Sequence, residues 1–238
     1  MEQLKSLYDA EIAYVDSHLG RFFDELRARE MYDSSLVIVT ADHGEAFYEH
    51  GYGEHARPWW DQGPGLYDEI VHVPLLVKWP NASDASEVET VVSQTDIFPT
   101  FLEAAGLRHE GPWSVSLRRG GSGRALSEFI ASPARGESTL EVALREATLK
   151  YWASYRAGSV DELYKSPAVT EVLYDLEADP SESRNLASSG HESIDAYRET
   201  LRRYLDTALE TRGESPDEGV TLDRELLEKL KSLGYMVR

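Results

Sequence analysis

Cysteine is absent from the sequence. That excludes disulfides and thiolate metal ligands, but it leaves the redox compartment open. Basic residues are scarce, with 24 Lys and Arg against 43 Asp and Glu and a formal net charge of -19. A surface of that sign repels polyanions, so nucleic acid and anionic membrane are poor candidates for partners. Lysine is scarcer still, present only at positions 5, 78, 150, 165, 229 and 231, and an acidic, Lys-poor surface fits a salt-adapted protein. No apolar run approaches the roughly 18 residues that a membrane-spanning helix needs. Residues 1–20 lack the basic-then-apolar order of a secretory signal, so the expectation is a cytoplasmic protein without a membrane span.

What is present begins with residues 35–45, Ser-Leu-Val-Ile-Val-Thr-Ala-Asp-His-Gly-Glu. Residues 36–40 are apolar or β-branched, and a run that short between turn residues reads as a buried strand. It ends in Asp42-His43-Gly44-Glu45, where Gly44 allows a sharp turn. Ligands of open α/β sheets bind at the carboxyl ends of strands, so an oxygen donor and a nitrogen donor offered there form half of a metal site. The competing reading is an Asp that caps the turn beside a solvated His. Upstream, the apolar positions 4, 7, 8, 12, 15, 19, 22, 23 and 26 are spaced for a helix with one face on a core. Helix followed by strand is one αβ step of a layered sheet.

Further motifs follow in order: Glu49-His50-Gly51, Leu66-Tyr67-Asp68-Glu69, Val73-Pro74-Leu75 and Thr95-Asp96-Ile97-Phe98-Pro99-Thr100. Near the end come Leu173-Tyr174-Asp175-Leu176, Asp179-Pro180, Asn185-Leu186 and a Leu-Gly-Tyr within residues 230–235. Together with residues 40–45 and the helix before them, this series resembles the sulfatase family of the alkaline phosphatase superfamily. The resemblance runs nearly from end to end. It implies sulfate-ester hydrolysis at a divalent metal, with Asp42 and His43 as ligands and calcium as the first expectation; manganese and zinc also suit these donors. It implies that His55 meets the substrate's anionic oxygens and neutralises charge developing on them, against the plainer reading of a loop His bonded to a carbonyl. Glu45 and His50 are expected to support the turn and orient the ligands. The substrate class implied is a sulfated small molecule or glycan.

The family's nucleophile motif, Cys or Ser-x-Pro-x-Arg, is missing from these residues. The expectation is a C-terminal half, completed by an N-terminal half in cis or in trans. Two alternatives stand beside it. One is a phosphodiesterase, phosphonate hydrolase or phosphoryl transferase of the same superfamily; the other is a non-catalytic truncated fragment.

The fold class expected is α/β. Residues 1–107 form the C-terminal part of an alkaline-phosphatase-like sheet domain, and residues 108–238 form a small antiparallel α+β subdomain with terminal helices. Residues 46–68 read as one long functional loop, in which Trp59 and Trp60 line a pocket or pin the loop. Residues 72–79 and 88–92 read as strands, and Thr95 or Asp96, with Asp96 preferred, reads as the cap of a helix through Ala105 closed by Gly106. The Gly, Ser, Pro and Arg clusters of residues 108–138 mark a boundary. Strands are expected at 140–145, 149–156 and 172–176, and helices at 194–210 and 223–233.

The charge of -19 repels itself at low ionic strength, and about 1 M salt shortens the screening length to about 3 Å. Scanning calorimetry across NaCl concentrations should show the thermal midpoint rising toward about 1 M; a flat or falling midpoint would remove the case for salt adaptation.

Overall fold

The computed structural model describes residues 2–47, 49–50, 65–108, 111–131 and 137–214. The chain opens with helix α1 (Glu2–Ala28), passes through β1 (Val37–Thr40), the single turn α2 (Asp68–Val71) and β2 (Leu75–Lys78), and reaches α3 (Ile97–Ala104). Four strands follow, β3 (Arg124–Ala131), β4 (Ser138–Glu146), β5 (Leu149–Ala157) and β6 (Ala168–Asp175), with α4 (Val160–Leu163) between the last two. Helix α5 (Ile194–Glu214) comes after β6.

The four strands form an antiparallel sheet in the order β3-β4-β5-β6, with Val142 opposite Ala153 and Tyr151 opposite Leu173. Side chains alternate across such a sheet, and both faces are used. One face gathers Leu140, Val142 and Leu144 with Tyr151, Ala153, Tyr155 and Leu173. On it lie Leu163 of α4 and Ile194, Tyr197, Leu201 and Leu205 of α5, the last four at the three- and four-residue spacing of one helical stripe. This is the main core. The opposite face carries Ala143, Trp152 and Tyr174, and Leu66 packs there beside Tyr67. That second face brings the segment leading into α2 against the sheet.

The N-terminal elements are packed differently. β1 and β2 form a two-stranded antiparallel ladder, Val37 opposite Lys78 and Thr40 opposite Leu75. The strand at residues 36–40 exists as expected but is only half-buried. Lys78 closes its far end, its ammonium donating to the carbonyls of Tyr32, Asp33 and Ser35. No residue of α1 is buried, and its apolar stripe faces outward, with Leu7 63% exposed and Ile12, Val15 and Phe22 similarly open. Helical spacing was legible, but the described residues supply no core for that stripe.

Three other expectations meet the structure unevenly. Residues 88–92 carry no strand. Strand β3, inside the boundary region, pairs along its whole length with β4, from Arg124 opposite Glu146 to Ala131 opposite Thr139. Asp96 precedes α3 without capping it. Its buried carboxylate instead accepts from the N–H groups of Ser93 (2.9 Å), Val115 (2.8 Å) and Ser122 (3.0 Å), stapling three loops together. Gly106 does close α3, at φ +75°, where a side chain would be strained. The expected helix at 223–233 and the Leu-Gly-Tyr of residues 230–235 lie outside the described residues.

The contrast between the two halves is measurable by urea unfolding. Leu144→Ala, at a fully buried position, should cost about 2–5 kcal/mol. Leu7→Ala on α1 should stay within about 0.5 kcal/mol in the isolated chain. Equal losses would place Leu7 in a core.

Candidate functional site

β1 delivers the chain to Asp42, and the turn that follows is tied down by backbone bonds. The Ala41 carbonyl accepts from the Gln94 side-chain amide. The Gly44 N–H donates to the Ile70 carbonyl at 2.7 Å, joining the turn to α2. The approach is so close that a Cβ on Gly44 would lie 2.0 Å from the Glu69 carbonyl oxygen, so only glycine fits here.

Within the turn, Asp42 and His43 are brought together. Asp42 Oδ1 accepts the His43 N–H at 3.0 Å. The imidazole Nδ1 lies 2.7 Å from the Gly44 carbonyl oxygen. A carbonyl only accepts, so Nδ1 carries a proton, and whenever the ring is uncharged Nε2 holds the lone pair. That Nε2 lies 3.8 Å from Asp42 Oδ2. Two ligands each about 2.0–2.6 Å from one ion are separated by that kind of distance. A backbone-held Nδ1–H is also how metal-binding imidazoles are oriented. The donor pair fits a divalent cation, with one hard oxygen and one nitrogen. Glu45, half-buried two residues on, has its carboxyl pushed up by burial, partly offset by His43.

His50 is engaged at both ring nitrogens. Its Nδ1 lies 2.6 Å from Glu69 Oε1 and its Nε2 2.8 Å from the Ser181 carbonyl oxygen, while the ring stacks on Tyr67 at 3.5 Å and 9°. It therefore fastens the loop to α2 and to the turn after β6. Tyr8 of α1 meets Phe47 edge-on at 5.3 Å, which docks the helix on the same loop. His55, Trp59 and Trp60 lie outside the described residues.

The structure adds four residues that the sequence did not single out as a cluster. Lys150 of β5, 1% exposed, places its ammonium 2.8 Å from Asp68 Oδ1 and 2.6 Å from Glu182 Oε1. Arg145 of β4 adds a contact at 2.8 Å to Asp68 Oδ2. Glu182 Oε2 accepts the Asp68 N–H at 2.6 Å. Glu182 Oε1 receives no well-angled hydrogen bond, so its contact with Lys150 is an ion pair by proximity. Burial pushes the Asp68 carboxyl up, but Lys150 and Arg145 outweigh it and hold the group below its usual range. For Glu182 burial wins over Lys150 and the carboxyl is raised. The difference follows from Arg145, which serves Asp68, and from the Asp68 charge itself, which raises Glu182.

Donor atoms of His50, Glu69 and Glu182 lie within 4.8 Å of one another, a grouping that could hold a cation. Here Lys150 already neutralises Glu182, and both His50 nitrogens are engaged. The grouping also meets the Lys150 ammonium through Glu182, so it is a junction of charges as well as a set of donor atoms.

The sulfatase family model matches residues 2–107. Arylsulfatase K of Xenopus laevis is 28% identical over 224 residues, covering 87% of this chain and 38% of that protein. Choline-sulfatase of Rhizobium meliloti (strain 1021) is 28% identical over 201 residues, covering 84% of this chain and 36% of that protein. A protein solved in complex with its substrate D-glucosamine-2-N,6-O-disulfate superposes with a TM-score of 0.60 at 23% identity, over 87% of this chain and 41% of that one. The chain spans about two fifths of the length of these relatives. The sulfatase family implies a divalent metal site. The sulfatase family model thus covers residues 2–107, and the alkaline-phosphatase-like fold of the sulfatase neighbours extends over most of the chain.

Proposed function

We propose that this chain contributes Asp42 and His43 to a divalent-cation site at which a sulfate ester is hydrolysed. The observation that carries the reading is the His43 ring, held by Nδ1–H to the Gly44 carbonyl with Nε2 3.8 Å from Asp42 Oδ2. Calcium suits the carboxylate best, and manganese or zinc would accept the imidazole. A bound cation would supply Lewis-acid polarisation of a sulfuryl oxygen. Asp42 and His43 orient it; Gly44 and α2 keep them in place. Glu45 and His50 support the turn and its loop, and His55 meets the substrate's anionic oxygens.

The nucleophile is proposed to come from beyond these 238 residues, which hold no Cys and no Ser-x-Pro-x-Arg or Thr-x-Pro-x-Arg. A further part of the catalytic domain, in cis or in trans, would also cover the apolar stripe of α1 and the open edges of the β1–β2 ladder. The substrate class is a sulfated small molecule or glycan, supported by a relative that is a choline-sulfatase and a neighbour solved with a disulfated glucosamine.

Turnover of 4-nitrophenyl sulfate tests the reading. Residues 1–238 alone should show none. In the assembled enzyme, Asp42→Asn and His43→Ala should each lower kcat at least about tenfold, the lower end for losing even a supporting partner of a ligand. Full turnover in both variants would remove the pair from the chemistry.

A further inference from the structure

We infer that Lys150 is a positioning residue for His43, acting through a relay that runs from an inner strand of the four-stranded sheet to the Asp-His turn. The inference rests on the reading of His43 as a ligand, but its test needs no metal and no turnover.

Each link of the relay is a short contact. Lys150 sits in β5 opposite Arg145 of β4 and Tyr174 of β6, on the sheet face that receives Leu66 and Tyr67. A buried ammonium must be paired, and Lys150 is paired twice, to Asp68 and to Glu182. Asp68 is the first residue of α2. Its carboxylate is held by Lys150 and Arg145, and its N–H by Glu182 Oε2 at 2.6 Å. Both ends of one residue are thereby fixed to the sheet and to the turn after β6. α2 is one tight turn, with His72 N–H on the Asp68 carbonyl and Ile70 and Val71 N–H on the Tyr67 carbonyl. It transmits that placement to the Ile70 carbonyl, which accepts the Gly44 N–H at 2.7 Å. Gly44 in turn offers its carbonyl to His43 Nδ1 at 2.7 Å. The His43 tautomer, and with it the direction of the Nε2 lone pair, depends on where that carbonyl stands.

A purely structural Lys150 would stabilise the sheet and leave His43 indifferent. The distinction is readable by NMR above neutral pH, where an imidazole is uncharged. Ring nitrogen shifts of His43 report which nitrogen bears the proton, and exchange of the Gly44 amide reports the Ile70 bond. We compare K150M with L205A, which empties part of the core on the other face of the sheet, where Leu205 is fully buried. K150R keeps the charge. E182Q removes one of the two anions that Lys150 holds and serves where K150M does not fold. The expected result is the Nδ1–H tautomer in the unaltered chain and a loss of that pattern in K150M or E182Q. Gly44 exchange in those variants should be about tenfold faster or more, with partial recovery in K150R and no change in L205A. Unaltered His43 shifts and Gly44 protection in folded K150M or E182Q would overturn the assignment. An equal change in L205A would overturn it as well, since general loosening would then suffice. Either failure leaves the metal reading to be judged on turnover.

Discussion

One buried ammonium holds the two parts of this molecule in register. Lys150 lies inside a sheet whose other positions are mostly apolar, and it neutralises Asp68 from one direction and Glu182 from another. Burying a charge is expensive, and removing one member of such a cluster costs about 3–5 kcal/mol because its partners are left uncompensated. The same cluster fixes α2. From α2 hang the Gly44 turn and, through Glu69 and the stacked Tyr67, the His50 clasp. The Asp42–His43 pair thus stands on charges contributed by β4, β5 and the turn after β6, about 100 to 140 residues further along the chain.

The two halves differ in how they are stabilised. The four-stranded sheet has a continuous apolar core against α4 and α5, with seven fully buried or nearly buried side chains contributed by the strands alone. α1 and the β1–β2 ladder have amphipathic sequence but no comparable core among the described residues. Their order comes from local bonds: the Lys78 ammonium on three carbonyls, Tyr8 against Phe47, and the turn's bond to α2. A surface salt bridge such as Lys5–Glu49, half-exposed at 3.5 Å, adds little. Apolar residues such as Leu7 and Phe22 gain from burial, and a covering surface is where that gain lies.

The legible parts of the fold were those written in local pattern. Helical spacing marked α1 and α5, alternation marked β4, β5 and β6, and the apolar run ending in Asp-His-Gly marked β1 and its turn. β3 was illegible because Arg124, Ser127 and Glu128 interrupt its apolar pattern and glycines precede it; only the pairing with β4 makes it a strand. The site was half legible. Asp42 and His43 are adjacent, so their chemistry shows in the sequence. The partners of His50 and Lys150 do not, because Ser181 and Glu182 lie in a turn that reads as solvent-exposed. A Lys near the start of a largely apolar strand was the available signal, and it names no partner. For Asp96 the expectation of a helix cap holds only in part: its carboxylate accepts the Ser93 N–H in a capping box on the 3-10 turn leading into α3, and is otherwise turned to the Val115 and Ser122 amides.

The central claim is that the cation site lies at Asp42 and His43 and not at the neighbouring grouping of His50, Glu69 and Glu182. Calorimetric titration of the 238-residue chain with Mn2+ decides between them, because each place can be altered alone. The account predicts that Asp42→Asn weakens Mn2+ binding about tenfold or more, while Glu69→Gln leaves it within about twofold of the unaltered chain. Unchanged affinity in Asp42→Asn together with a tenfold loss in Glu69→Gln would contradict it, and would move the metal to the junction where Lys150 now stands.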